Sequence, residues 1–178
     1  MKTIKLLIAM TLIGSLYGCK TPHSTGSENN ATATTEQTPA MPEGQLTEVA
    51  YRFQGMHMEP VAEPVLYLKD GQAMLKFNHF GQEYDCEVSD TLFSAARTII
   101  DEERIYAYAP HYSLDPAFES RMLDGYSWSF SATFLRPDGT KERIHSGGRH
   151  VSPDGNGLNR ISKLLIEAAL TCIKELGQ

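Results

Sequence analysis

Tyr126-Ser127-Trp128-Ser129-Phe130-Ser131-Ala132-Thr133-Phe134 is the stretch that decides the fold. Tyr126, Trp128, Phe130, Ala132 and Phe134 fall on one face of an extended chain, and Ser127, Ser129, Ser131 and Thr133 on the other. A strand with this alternation packs one side on a core and leaves the other to water or a ligand. Pro137-Asp138-Gly139 then turns the chain into a second strand over Lys141 to Ser146. After a loop from Gly147 to Gly157, a final helix is expected from about Leu158 to Leu176. Ile161, Leu164, Leu165, Ala168, Cys172 and Leu176 form its apolar stripe, and Gly177 is placed to end it.

Upstream the pattern is similar. Val49, Tyr51 and Phe53 alternate with Glu48, Ala50, Arg52 and Gln54 in a first strand. A Pro-bearing connection over Met56 to Pro64 follows. Val65 to Lys69 then leads through the turn dipeptide Asp70-Gly71 into Ala73 to His79. Gly81 turns the chain into a third run, where Tyr84, Cys86 and Val88 alternate with Glu83, Asp85 and Glu87. At Ser89 the period becomes helical, with Leu92, Phe93, Ala96, Ile99 and Ile100 on one face and Ser89 or Asp90 available as a cap. That helix is expected to end near Glu103 or Arg104. Ile105 to Ala109 reads as extended, and Pro110 to Asp124 holds turn formers without a period. Strands, helix, strands, helix implies α+β: a two-layer domain whose largely antiparallel sheet of about five or six strands carries two helices on one face.

That domain occupies residues 46–178, about the size of one ordinary domain. Residues 1–18 read as a lipoprotein signal peptide: Lys2 and Lys5, an apolar run from Leu6 to Ile13, then Gly14 and Ser15 before Leu16-Tyr17-Gly18-Cys19. The run is shorter than the roughly 20 residues that span a bilayer. Cys19 is the expected lipidation site, carrying diacylglycerol and a further acyl chain such as palmitate, because two or more chains anchor stably. Lys20 rather than an aspartate behind it favours the outer membrane. Residues 19–45 are rich in Thr, Ser, Asn, Glu, Pro and Ala and read as a lipidated flexible tether, with an r.m.s. reach of roughly 25–30 Å.

The 178-residue chain has 16 Lys and Arg against 22 Asp and Glu. Losing Lys2 and Lys5 leaves 14 against 22, a formal charge of −8. An acidic surface without a basic run repels phosphates, so nucleic acid is excluded as a partner.

Leu123-Asp124-Gly125-Tyr126-Ser127-Trp128-Ser129-Phe130, then Asp138-Gly139-Thr140, then Ser146-Gly147-Gly148 with Pro153 and the closing helix carry a family likeness. With these the chain resembles uncharacterised lipoproteins and related domains of anaerobic gut bacteria. The likeness also takes in Gln54-Gly55-Met56 and the helix from Thr91 to Glu103, so it spans most of residues 46–178. Arg149 stands where the family pattern has Asn, and His150-Val151 where it has small or aromatic residues. The resemblance implies a fold and an envelope location, and no activity.

No residue pattern specifies catalysis, a cofactor or a metal. His57, His79, His111, His145 and His150 lack the i, i+2 or i, i+4 spacing that sets two imidazoles on one ion. Cys86 would need a neighbouring base to act as a nucleophile, and its place between Tyr84 and Val88 makes it structural instead. Cys172 lies on the apolar stripe of the last helix, so Cys86 and Cys172 are either bridged or two buried thiols. Asp101-Glu102-Glu103 reads as a solvated helix end, and neither Gly147-Gly148 nor Gly155-Asn156-Gly157 has phosphate-loop spacing. Tyr112, Tyr126 and Trp128, within an aromatic region that includes Tyr106, Tyr108 and His111, make the candidate binding surface.

The expectation is therefore a membrane-anchored envelope lipoprotein acting as a protein-interaction module and not as an enzyme. Its partners would be the bilayer, through acylated Cys19, and another envelope protein. The alternative is a lipoprotein that binds a glycan or small molecule.

Overall fold

The computed structural model describes residues 39–55, 60–115 and 125–177; all belong to one compact unit, residues 37–178. The signal peptide, Cys19, most of the tether, Met56 to Glu59, and Pro116 to Asp124 lie outside the described residues. The elements are β1 (Gln45–Gln54), β2 (Val61–Lys69), β3 (Gln72–His79), β4 (Gln82–Glu87), α1 (Thr91–Glu102), β5 (His111–Tyr112), β6 (Ser127–Leu135), β7 (Lys141–Arg149) and α2 (Gly157–Glu175). The strands form one seven-stranded sheet in the order β4-β3-β2-β1-β6-β7-β5. Every pairing is antiparallel except β5 on β7. Both helices lie on one face, α2 over β1, β2 and β3, and α1 against α2 and β1. The fold is α+β, with a sheet wider than the five or six strands expected.

The core lies between the sheet and the helices. Val49, Leu66, Leu75, Phe77, Phe130 and Phe134 project from the strands and meet Ile100, Ile161 and Leu165. In β1 the register shifts between Leu46 and Glu48, so Leu46 and Val49 both face inward although they are three positions apart. Thr47 occupies the bulge, and its hydroxyl donates to the Thr133 carbonyl at 3.2 Å. Asp70 and Gly71, both at positive φ (52° and 85°), make the tight turn between β2 and β3. Arg160 donates to Glu102 at 2.8 Å and to Glu103 at 2.7 Å, tying the first turns of α2 to the end of α1. Cys86 of β4 and Cys172 of α2 form a disulfide with a Cα–Cα distance of 6.6 Å.

Four local expectations are corrected. β2 begins at Val61 and not Val65: Glu63, at φ 52°, bulges out of the ladder between Ala62 and Val65, so Pro64 costs no sheet hydrogen bond. Ile105 to Ala107 is a 3₁₀ turn entered through Arg104 at φ 50°, not a strand. Gly147 and Gly148 continue β7 rather than opening a loop, because β5 pairs with them. Of the two residues expected to cap α1, Ser89 serves, its hydroxyl accepting the Thr91 N–H at 3.3 Å, and Asp90 makes no side-chain cap. Leu176, expected on the apolar stripe of α2, is 57 % exposed, and Ala169 and Ile173 take inward positions instead.

Candidate functional site

Period-two alternation turns Trp128 toward the helices, where it is 4 % exposed. Its Nε1 donates to the Val151 carbonyl at 2.6 Å. Tyr112 packs on the indole with ring centroids 5.8 Å apart, and its hydroxyl accepts the Ala109 N–H at 3.1 Å. Gly148 makes this arrangement possible. A Cβ there would stand 2.6 Å from the Val151 oxygen, 2.8 Å from Nε1 and 3.0 Å from the Tyr112 Cβ. Trp128 is therefore core and not surface, and Tyr112 is half-buried against it. Of the three residues expected to form a binding surface, Trp128 is buried, and Tyr112 and Tyr126 are both half-buried.

Tyr126 stacks on Phe53, with centroids 5.7 Å apart and planes at 23°. Phe53 is 38 % exposed and was not singled out by its sequence context. Phe53 borders two adjoining clefts of about 190 and 200 Å³ that share Tyr51, Phe53 and Asn159, and Tyr126 lines the first of them. One runs toward Ser152, the other toward Glu63 and Ser162. Each is smaller than the roughly 300 Å³ at which ligand pockets begin. Tyr108, on the first cleft's wall, is held above the ordinary tyrosine range by burial and then by the nearby Glu103 carboxylate.

The face of the sheet away from the helices is the larger feature. None of the described elements packs over it. Two cross-strand rows define it. One runs Glu87, Met74, Tyr67, Glu48, Thr133, Arg143, and the next Asp85, Lys76, Val65, Ala50, Ser131, His145. Glu83, Asp85 and Glu87 on β4 are all exposed, as are Lys141, Arg143, His145 and Arg149 on β7 and His111 on β5. The open face thus carries Glu83, Asp85 and Glu87 along one side and Lys141, Arg143, His145 and Arg149 toward the other, with Lys76 on β3 and Glu48 and Arg52 on β1 between them. Polar contacts hold its side chains in place. Tyr67 reaches across β3 to donate to both carboxylate oxygens of Asp85, at 2.9 and 2.7 Å. Lys76 pairs with Glu83 at 2.9 Å, and Arg143 donates to the Ser131 hydroxyl at 3.0 Å.

Strand alternation also separates the remaining candidates. His145 points to the open face, whereas His150, at φ 62°, leaves the strand and sits against the Tyr126 ring. Among the described residues no three His, Cys, Asp or Glu side chains gather as a metal site, and no helix is long and apolar enough to cross a membrane. Cys86, oxidised onto Cys172, has no thiol to act as a nucleophile. No protein-family model, curated protein or solved structure matches the chain.

Proposed function

We propose that this is a lipid-anchored protein of the bacterial cell envelope, held in the outer membrane through Cys19, whose domain binds another protein molecule. The observation that carries the reading is the uncovered sheet face. Among the described residues the seven-stranded sheet carries helices on one side only, which leaves the other side as a broad surface. Its acidic and basic borders give it the patterned charge that orients a partner. Docking on such a face needs no catalytic group. The test is a crosslinking pull-down from intact cells carrying the tagged lipoprotein, beside a Cys19→Ala form released from the membrane. The reading predicts capture of a defined protein by the anchored form, reduced when Glu87 is replaced by Arg. Unchanged capture by that variant would contradict it.

The Phe53–Tyr126 stack supports a second reading, a small glycan or aromatic ligand seated beside Asn159. Chemical shifts along Tyr51, Phe53 and Asn159 during ligand titration, absent in Phe53→Ala, would favour it.

A further inference from the structure

β1 and β6 are neighbours, and their register sets Phe53 opposite Trp128 and Tyr51 opposite Phe130. Period-two alternation then turns Tyr51, Phe53, Tyr126 and Trp128 to the helix side at one end of the sheet. Tyr108 joins them from the turn behind α1. All five rings line the cleft of about 190 Å³. Tyr51 and Trp128 are buried within it, Tyr108 and Tyr126 are half-buried, and Phe53 is the most exposed of the five.

We propose that this cleft binds a quaternary ammonium group such as that of choline. The proposal rests on the reading of the cleft as a ligand site and gives that site a ligand other than a glycan. A methylated ammonium is drawn to the electron-rich faces of aromatic rings and needs no hydrogen-bond partners of its own. Size agrees, because a cleft below the roughly 300 Å³ of drug-sized pockets suits a compact head group. A sugar fits less well. It brings a hydroxyl on nearly every carbon, each needing a partner once desolvated. The polar side chains lining this cleft are few: Ser152, already 3.4 Å from the Tyr126 hydroxyl, Asn159 and Tyr108.

Charge agrees as well. Among the described residues no lysine or arginine lines either cleft, and Glu63, 4.0 Å from Arg52, borders the second. A Cβ at Gly155, in the wall of the first cleft, would stand 3.8 Å from both Glu103 Oε2 and the Tyr108 hydroxyl, so this carboxylate lies close behind the rings. Burial first and the Glu103 charge second hold Tyr108 above the ordinary tyrosine range, so that charge reaches the cleft. One feature opposes a cation. The first turn of α2 borders the cleft through Leu158 and Asn159, and a helix N-terminus carries roughly +0.5 of an elementary charge. Arg160 holds Glu102 and Glu103 against that turn. Two carboxylates and one guanidinium leave one net negative charge, the larger of the two effects.

The experiment titrates the mature Cys19→Ala chain with choline, tetramethylammonium, phosphocholine, maltose and neohexanol, the neutral carbon isostere of choline. Binding is read from NMR shifts. The proposal predicts that both cations move the signals of Tyr51, Phe53 and Asn159 at millimolar concentration or below, less so as salt rises, and that neohexanol binds about tenfold more weakly than choline. Phe53→Leu keeps apolar bulk and loses the ring. It should weaken choline severalfold and leave neohexanol unchanged, with cooperative thermal unfolding confirming an intact fold. Choline tighter than phosphocholine assigns a free ammonium compound, and the reverse assigns a lipid head group; both outcomes uphold the ammonium site. Equal affinity for choline and neohexanol, or no binding of either cation, overturns the proposal. If maltose alone then moves those signals, the reading of the cleft as a ligand site survives. If no probe moves them, both fall.

Discussion

The indole nitrogen of Trp128 donates to the carbonyl of Val151 at 2.6 Å, across the position where Gly148 has no side chain. This hydrogen bond holds the segment leaving β7 against the core together with the one from the His150 N–H to the Tyr126 carbonyl at 2.9 Å, and it depends on a glycine in a different strand from the tryptophan. Trp128→Phe keeps most of the packing but leaves the Val151 carbonyl unpaired, at a cost of about 1–3 kcal/mol. Gly148→Ala forces the same groups apart and costs about 1–3 kcal/mol. Because both act on one contact, the double variant should lose less than the sum. Urea unfolding measures all three. Trp128 is the chain's only tryptophan, so its emission follows wild type and Gly148→Ala, and circular dichroism follows the variants without it.

The Cys86–Cys172 bridge spans 86 positions and fastens α2 to the edge strand β4. In the chain-entropy treatment such a loop stabilises the fold by about 4.5 kcal/mol. Reduction under non-denaturing conditions should lower the unfolding midpoint in denaturant. Replacing both cysteines with Ala should lower it similarly and abolish any further effect of reductant. An equal midpoint with and without reductant would show that the bridge adds nothing.

The Tyr67 hydroxyl is held above its ordinary pKa, first by the hydrogen bond it gives Asp85, then by burial and by that carboxylate's charge. Since the folded value lies above the unfolded one, the contribution is full below the unfolded value of about 10. It is lost as pH rises through the folded value. Wild type should thus exceed Tyr67→Phe in stability by a constant margin at neutral pH, and the margin should close under alkaline conditions. Denaturant midpoints of the two proteins from neutral to alkaline pH test this; a margin that widens with pH would contradict it.

Much of the fold was legible because its signals are local. The Ser/aromatic alternation of β6, the Asp70-Gly71 turn and the stripe of α2 each lie within a few residues of sequence. What escaped depends on distant partners. β5 is two residues long and exists only through parallel pairing with Gly147 and Gly148, and those glycines look like a loop until the tyrosine and indole packed against them are seen. Pro64 looks like the end of a connection because the bulge at Glu63 that accommodates it has no sequence signature. The candidate site divides the same way. The exposed serine side of β6 could be read directly, whereas the opposition of Glu87 and Arg143 could not. They lie 56 positions apart, at opposite sides of a sheet whose strand order is not the sequence order. Trp128 lies on the strand face it shares with Phe130, Ala132 and Phe134, all buried; naming it in a binding surface set aromatic clustering above that alternation.

The central claim is that the uncovered sheet face is where this domain meets another protein molecule. The most direct measurement places photo-reactive benzoylphenylalanine at Met74, on that face, and separately at Thr98, exposed on α1, in the lipid-anchored protein of intact cells. The account predicts a discrete crosslinked adduct from position 74 and none of matching mass from position 98. Absence of an adduct at 74, or the same adducts from both positions, would contradict it.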